Sequence, residues 1–247
     1  MKKDAQNTLA KDMENLAIRY ALENELLDNI AAGDKNAAMK SFFKFRTLML
    51  SPTQTLPNRT ADPVRNLKNS MLSSNTLYRK AIESNHVPPY YIDIHSAQFA
   101  IKIEECTTIE ELGKLYPEMI RKYCHLAKNY SLAGYSSIVR NAIMDIHIHL
   151  YAPLSLKQIA ERLSVSSSYL SSQFKAEVKM TVTEYIRTRR MEEALKLLHT
   201  TDESVEEIAF LLGIEDPSYF SKQFKQYTGM SPQQYQKMIH SGSNSAT

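Results

Sequence analysis

The chain has 247 residues with 30 basic and 27 acidic side chains, so its net charge of +3 does not by itself indicate a nucleic-acid-binding protein. Only six glycines are present, and the abundance of helix-forming residues favours helix over sheet. Cys106 and Cys124 are too few for a disulfide framework, which excludes a disulfide-stapled secreted domain. With polar, charged first residues and no long apolar run, the composition predicts a soluble, cytoplasmic protein that does not enter a membrane.

The N-terminal half has apolar residues at helical spacing and no alternating strand pattern. We predict a bundle of five to seven helices over the first 150 residues. The segment 51–62 has two prolines and no periodicity and predicts a loop, after which Asp62-Pro63 restarts a helix. The other predicted helices cover 4–32, 34–50, 90–106, 108–130 and 138–150. In the first of these, the apolar stripe consists of Leu16, Tyr20, Leu22, Leu26, Leu27 and Ile30.

No residue pattern in this half indicates catalysis or metal binding. Cys124 and His125 are adjacent on a helix, and His147 and His149 are two residues apart, whereas a helical metal pair requires a spacing of three or four. The chain also lacks a glycine-rich phosphate loop, a nucleophile elbow and a paired-carboxylate motif. We therefore predict no metal, no cofactor and no enzyme activity.

Two aromatic clusters in the same half allow two interpretations. Phe42, Phe43 and Phe45, and likewise Tyr90 with Tyr91, could line a ligand pocket. A helical core requires such residues in any case, so the core interpretation is preferred unless a cavity is present.

The sequence pattern changes after Tyr151-Ala152-Pro153, where two short helices are predicted on either side of a tight turn. Ser155 caps the first helix, Val165 ends the turn, and Ser166 or Ser167 caps the second helix. The residues predicted to face inward are Leu156, Ile159, Ala160, Leu163, Tyr169, Leu170, Phe174 and Val178. Two short helices across a tight turn form a helix-turn-helix motif, whose second helix enters the DNA major groove in DNA-binding proteins.

One longer helix is predicted from Thr183 to about His199, and it would fix the distance and angle between this motif and the next. Residues 151–247 carry eleven basic and eleven acidic side chains, but the basic ones are concentrated around this helix. Over 166–190 the cations Lys175, Lys179, Arg187, Arg189 and Arg190 oppose only Glu177 and Glu184. The domain is therefore polarised rather than basic overall, and we expect salt-sensitive binding.

A second helix-turn-helix follows. Ser204 and Glu207 form a capping box, and Gly213 supplies the left-handed residue that ends the first helix. Asp216 caps the next helix, Pro217 takes its first position, and Gly229 ends it. The residues predicted to face inward are Val205, Ile208, Ala209, Leu211, Leu212, Tyr219, Phe220, Phe224 and Tyr227.

The two motifs are copies of one another. The stretch SYLSSQFKAEVKMTVTEY matches SYFSKQFKQYTGMSPQQY fifty residues later, while the first helices match at an offset of forty-nine. One extra residue in the second turn reconciles the two offsets. The match predicts an internal duplication.

Residues from about Ile143 to Ile239 resemble the DNA-binding domain of the AraC/XylS family. The motif that carries this resemblance runs from Gly213 to Lys225 and continues with Gly229-Met230-Ser231-Pro232 and Tyr235. The residues of the first motif that fit the same pattern are Leu156, Ile159, Ala160, Ser166, Tyr169, Leu170, Phe174 and Lys175. Ile214 stands where the family usually has Phe, and Lys222 and Gln236 stand where it commonly has Arg. Lys179 replaces the glycine found at Gly229, so a different exit turn is expected in the first motif.

The resemblance and the helical pattern together predict an all-α fold, in which an N-terminal helical bundle precedes two helix-turn-helix subdomains joined by a long linker helix. We expect a sensor or dimerisation domain over 1–135 and an AraC-type DNA-binding domain over 136–240. The motifs are assigned to 155–178 and 204–228, and 241–247 to a disordered tail. The N-terminal half has no pattern of the β-rich cupin sensor that is familiar in this family.

A recognition helix contacts bases through its N-terminal, outward positions. The residues that the first helix would present are Ser167, Ser168, Ser171, Ser172 and Lys175. Those that the second would present are Pro217, Ser218, Ser221, Lys222 and Lys225. Lys175 and Lys225 are predicted to bind phosphate, with backbone N–H contacts near Ser167 and Pro217. Serine discriminates weakly between bases, and any single serine could equally be a solvated surface residue.

The leading hypothesis is a sequence-specific transcription regulator, with activation favoured over repression, whose two recognition helices enter adjacent major-groove segments. Double-stranded DNA is the expected partner, RNA polymerase a further one, and the N-terminal half would bind a small-molecule effector or form a homodimer. The alternative hypothesis is a protein-interaction or anti-regulator module with a degenerate DNA-binding domain, poor in arginine. An enzyme is a distant third.

Overall fold

A computed structural model describes residues 2–49 and 60–243, and these residues form twelve α-helices and no β-strand. The prediction of an all-α fold is confirmed. Within the described ranges, no helix is long and apolar enough to cross a membrane. Leu50 and the predicted loop residues 51–59 lie outside the described residues.

The helices fall into two compact units, divided between Gly134 and Tyr135. The N-terminal unit contains α1 (Lys2–Ala31), α2 (Lys35–Met49), α3 (Pro63–Ser84), α4 (Pro89–Glu105) and α5 (Ile109–Tyr130). The C-terminal unit contains α6 (Ser137–Ile148), α7 (Leu156–Arg162), α8 (Ser167–Val178), α9 (Val182–Thr200), α10 (Val205–Leu211), α11 (Pro217–Thr228) and α12 (Pro232–Ser243).

The N-terminal unit buries one apolar core at the centre of a five-helix bundle, to which every helix contributes. Its fully buried large side chains are Ile30, Met71, Ile82, Ile103, Leu112, Met119, Ile120, Tyr123 and Leu126. Buried polar groups are paired, as expected for the interior of a bundle. The Tyr123 hydroxyl donates to Asn75 Oδ1 over 2.6 Å, and Asn75 Nδ2 donates to the Ser96 carbonyl over 3.0 Å.

The predicted stripe on α1 is buried only near its C-terminal end, where Leu26 and Ile30 enter the core. Leu16 and Tyr20, predicted for the same stripe, are exposed, together with Met13. The spacing that predicts a helix is correct, but this part of α1 presents its apolar residues to solvent. A helical period shows which side chains share a face and does not show whether anything packs against that face.

The C-terminal unit has two subdomains that share α9. In the first subdomain, α6, α7 and α8 pack against one another, and α8 packs against the beginning of α9, where the Phe174 and Tyr185 rings lie 5.4 Å apart. The second packs α10, α11 and α12 against the rest of α9 around Met191, Ala194 and Leu198. The linker helix predicted over 183–199 is therefore part of both hydrophobic cores.

The ends of the corresponding helices have the same conformation in both motifs. Ser164 and Gly213 are left-handed, with φ of +56° and +66°. In each turn, the N–H of the residue that follows donates to the backbone carbonyl five residues before it. Lys179 and Gly229 are also both left-handed, with φ of +65° and +86°. The expectation of a different exit turn at Lys179 is therefore wrong, since the packed repeat imposes the turn and lysine adopts it.

The sequence does not predict the final helix, α12, although the residues that precede it form a capping pattern. Ser231 Oγ accepts the Gln234 N–H over 3.2 Å, and Gln234 Oε1 accepts the Ser231 N–H over 2.9 Å. The helix that follows extends to Ser243, so that it includes the first three residues of the predicted tail, and 244–247 lie outside the described residues.

Candidate nucleic-acid interface

The first recognition helix, α8, is held by a serine cap and two buried side chains. Ser166 Oγ accepts the Tyr169 N–H over 3.2 Å, and Leu170 and Phe174 are fully buried. The opposite side carries the predicted contact residues: Ser168, Ser172 and Lys175 are exposed, and Ser167 and Ser171 are half-buried. The structure therefore brings all five predicted residues of this motif to one accessible helix surface.

The second recognition helix, α11, repeats this arrangement. Asp216 caps the helix, and Phe220 and Phe224 are fully buried. The predicted contact residues Pro217, Ser218, Lys222 and Lys225 are exposed, and Ser221 is half-buried.

Tyrosines that were predicted to be buried also lie on these surfaces. Tyr169 is 49% exposed and Tyr219 is 51% exposed, at the same position of the two copies, and Tyr227 is exposed further along α11. Successive residues of a helix are about 100° apart, whereas residues four apart lie on the same face. Leu170 and Phe174 therefore share the buried face of α8, as Phe220 and Phe224 do in α11, and the preceding tyrosine of each helix lies to one side of it. Tyr169 and Tyr219 thus add a ring and a hydroxyl to each candidate contact surface, a contribution that their apolar spacing did not indicate.

The N-termini of α8 and α11 differ in how many backbone N–H groups remain available to bind a phosphate. At α11, Pro217 has no N–H, and the N–H groups of Ser218 and Tyr219 donate to Asp216 Oδ1 over 2.8 and 3.2 Å. The cap carboxylate therefore competes with a phosphate for these amides and adds a negative charge, which disfavours the predicted backbone contact near Pro217. At α8 the neutral Ser166 cap engages only the Tyr169 N–H, so that the prediction stands for the amides of Ser167 and Ser168.

Only part of the predicted positive charge faces outward. Arg189 pairs with Glu192 over 2.7 Å, and the Arg190 guanidinium donates to backbone carbonyls within the C-terminal unit. Lys179 Nζ donates to the Ala176 carbonyl over 2.7 Å. Of the five cations between 166 and 190, Lys175, Lys179 and Arg187 are exposed, and Lys179 is the one of these three whose ammonium is engaged by a backbone carbonyl. The helix α11 adds the exposed Lys222 and Lys225.

A different kind of surface lies on α10, the first helix of the second motif. Leu211, predicted to face inward, is 43% exposed, and the neighbouring Phe210 is 77% exposed. The carboxylates of Glu203, Glu206 and Glu207 border this apolar pair. We call these five residues the acidic-apolar patch; its charge would repel a DNA phosphate.

Comparisons with known proteins agree with this geometry. Residues 159–238 match a family model described as a helix-turn-helix domain. The Msm operon regulatory protein of Streptococcus mutans is 33% identical over 140 residues, which are 56% of this chain and 49% of that protein. The melibiose operon regulatory protein of Escherichia coli is 34% identical over 133 residues, which are 46% of this chain and 44% of that protein. The C-terminal region is an AraC-type helix-turn-helix domain.

The chain spans about half of each of these two relatives, so the comparison concerns the AraC-type domain rather than the whole regulators. Among solved structures, the C-terminal domain of AraT, a response regulator from Geobacillus stearothermophilus, is 38% identical. That match covers 42% of this chain and 86% of that one, with a TM-score of 0.41. The family model and the two operon regulators confirm the resemblance to the AraC/XylS family for the C-terminal region.

Proposed function

We propose that this protein is a sequence-specific transcription regulator whose α8 and α11 enter adjacent major-groove segments of double-stranded DNA. The observation that carries the proposal is the repeated surface of the AraC-type domain. The same serine, tyrosine and lysine positions of both motifs are accessible, and the buried residues between them belong to cores that share α9. Phosphate contacts from Lys175, Lys225 and Arg187 would set the register, and the residues near the helix N-termini would read the bases.

Lys222→Ala tests whether the second recognition helix, α11, contacts DNA. Removing this exposed cation from the first half of α11 should lower affinity for the recognised duplex several-fold, as measured by gel shift at two salt concentrations. Lys114→Ala is a matched control, since it removes an exposed lysine from α5 of the N-terminal unit and should change nothing. Equal affinity of the Lys222 variant and the parent at both salt concentrations would remove this residue from the interface.

The second candidate function is a protein-interaction module with a degenerate DNA-binding domain. The observation in its favour is the engagement of Arg189 and Arg190 in intramolecular contacts, which leaves few outward cations. A gel shift with the DNA upstream of the protein's own gene, in the presence of excess random competitor, discriminates between the two. A specific shift supports the regulator, and its absence supports the interaction module.

Activation would require contact with RNA polymerase, and the acidic-apolar patch is the surface that best supports such a contact. Phe210 is a large exposed aromatic side chain, the kind of residue that dominates protein interfaces. Phe210→Ala should leave DNA affinity unchanged and reduce transcription from a target promoter in a purified system. Unchanged transcription would exclude this surface, and increased transcription would favour repression.

The N-terminal unit is proposed to sense a small molecule. A cavity of about 230 Å³ lies between α2, α3 and α5, lined by aromatic and aliphatic side chains such as Phe42, Phe45 and Leu67. Gly113 forms part of its wall, and a Cβ added there would meet nothing within 4 Å, so that the glycine leaves this space open. Arg46, the one charged residue of the lining, favours a compact apolar molecule with an anionic group. Gly113→Leu should fill the cavity and abolish any effector response while leaving basal DNA binding unchanged; a full response in that variant would exclude this site.

Homodimerisation is the other role expected for this unit. The exposed side chains of Met13, Leu16 and Tyr20 recur at intervals of three and four on α1, which is the spacing of a coiled-coil seam. Sedimentation of the protein and of its Leu16→Lys variant measures this directly. A dimer that is lost in the variant supports the seam, and a monomeric parent excludes it.

A further inference from the structure

Arg190 lies on α9 at the place where the two subdomains of the AraC-type domain meet. Its Nη2 donates to the Ala152 carbonyl over 2.7 Å and its Nε to the Leu150 carbonyl over 3.3 Å. These carbonyls belong to the segment between α6 and α7, which leads into the first motif. Its Nη1 reaches the Gly213 carbonyl at 3.4 Å, in the turn of the second motif. One guanidinium on the linker helix therefore joins the segment that leads into the first motif to the turn of the second motif.

Gly213 provides an independent sign that the two motifs are in close contact. A Cβ on Gly213 would lie 3.0 Å from the Ala152 carbonyl oxygen and 3.0 Å from Arg190 Nη2, closer than ordinary packing permits. The left-handed φ does not by itself explain the glycine, because the equivalent Ser164 has a φ of +56° and carries an exposed side chain. Glycine at position 213 lets the second motif pack against the entry segment of the first without displacing the Ala152 carbonyl.

Other side chains hold the same segment and the same helix together. The Tyr151 hydroxyl donates to Glu193 Oε1 over 2.6 Å, which ties the entry segment to α9 a second time. Glu193 is buried and is also paired with Lys196 over 3.1 Å. On the side of the second motif, the Tyr227 hydroxyl lies 3.5 Å from Glu192 Oε1, which joins α11 to α9.

Arginine is suited to the central position of this arrangement. Its planar guanidinium offers five donors in a fixed fork, whereas lysine offers a single ammonium on a flexible stem. In the described part of the chain, the hydrogen-bond partners of Arg190 are backbone carbonyls, so the side chain positions backbone rather than another side chain. Burial lowers the pKa of Arg190, as expected for a guanidinium enclosed between packed segments.

We propose that Arg190 and Gly213 form a clamp that sets the distance between the two recognition helices, and so determines which spacing of two half-sites the protein accepts. The inference rests on the proposed DNA-binding function. At 1.5 Å per residue, the 19 residues of α9 span about 28 Å. Arg190 lies near the middle of α9, about 15 Å from its C-terminal end. A rotation of about 20° at Arg190 would displace that end by about 5 Å, more than the ~3.4 Å rise of one base pair. A rotation of this size at the clamp would therefore shift one motif by a full base pair relative to the other.

Each subdomain keeps its own hydrophobic core without the clamp. Loss of the clamp should therefore change the preferred spacing between the two half-sites and leave the recognition of each half-site unchanged. A duplex selected from a random library by the full-length protein is rebuilt with one or two base pairs inserted or deleted between the two halves. The parent should lose at least tenfold in affinity for a change of one base pair. Arg190→Gln should bind the best duplex more weakly and distinguish the spacings by less than about threefold. Arg190→Lys should restore little of the preference, because it lacks the fork.

Arg187→Gln is the matched control, since Arg187 lies on the same helix, one turn earlier, and its guanidinium is exposed. It should weaken binding to every duplex alike and preserve the preference for one spacing. Gly213→Ala should act like Arg190→Gln, because its Cβ would push the same two segments apart. This second variant tests the clamp even if the arginine variant is poorly folded.

A distance measurement separates failure of the inference from failure of the proposed function. Spin labels on cysteines placed at Ser172 and Gln226, in a chain with Cys106 and Cys124 changed to Ala, report the separation of α8 and α11 without DNA. The distribution of distances between the two labels should be narrow in the parent and broader or displaced in Arg190→Gln. An unchanged distribution, or an unchanged preference for one spacing, would overturn the inference. A parent protein that binds no duplex specifically would instead overturn the proposed function.

Discussion

Adjacent residues of α9 show how local contacts decide what a charged side chain can do. Arg187 is exposed, whereas Arg189 and Arg190 are engaged with Glu192 and with backbone carbonyls. All three contribute equally to a count of charges along the chain. Because two of them are used inside the domain, the surface available to DNA is less basic than composition indicates.

His147 on α6 permits a prediction about pH at this scale. Burial, with the charge of Arg189 as a second cause, lowers the pKa of His147 from 6.5 to about 4. Below pH 6.5 the unfolded chain takes up a proton that the folded chain does not bind. Stability should therefore be fully present above pH 6.5 and fall as the pH decreases towards 4, by an amount on the order of 3 kcal/mol.

Urea unfolding between pH 5 and 7, followed by circular dichroism, measures this dependence. His147→Gln should flatten the slope of stability against pH in that range. His149→Gln, which changes the partly exposed imidazole two residues later, is the control and should leave the slope in place. A slope that is the same in the parent and in the His147 variant would contradict the assignment.

At the scale of elements, the two recognition helices end in the same left-handed turn with different residues. Glycine adopts this conformation without strain, whereas lysine pays a steric cost at its Cβ. Lys179→Gly should therefore raise the free energy of unfolding by about 0.5–1 kcal/mol, measured by urea denaturation. Lys175→Gly removes the same charge one turn earlier, inside the helix, and should lower the free energy by about 1 kcal/mol. Changes of the same sign in both variants would show that charge, rather than backbone conformation, decides the effect.

Elements also show where sequence patterns are sufficient. The caps at Ser155, Ser204 and Asp216 were predicted from residue type and spacing, and each side chain accepts the expected backbone N–H. Caps are local, since the side chain and the amide that it binds are two or three residues apart. The burial of Tyr169, Tyr219 and Leu211 was predicted wrongly because each lies at the edge of an apolar stripe. At such an edge, the neighbouring helices decide how far packing extends.

At the scale of the whole molecule, the outward cations determine how binding depends on salt. Lys175, Arg187, Lys222 and Lys225 are exposed on or beside the recognition helices. If these four contact phosphates, the logarithm of the association constant should fall with the logarithm of salt concentration with a slope of about −3.6. Lys175→Ala and Lys225→Ala should each reduce the steepness of the slope by about 0.9, measured by fluorescence anisotropy. A slope that neither variant changes would mean that these lysines do not contact phosphate.

The sequence by itself determined the helical fold, the duplication and the identity of the two candidate recognition surfaces. These features depend on periodicity, capping and repetition, which act over a few residues or are visible as a direct match between two stretches. Only the tertiary structure decided that Ser164 and Lys179 adopt left-handed turns and that the amides at the start of α11 are occupied. It also decided that Arg190 joins the entry segment of the first motif to the turn of the second motif, beside Gly213. The reason is physical: the atoms that Arg190 contacts lie 23 to 40 residues away, and no local pattern records which backbone carbonyls the folded chain will bring to one guanidinium.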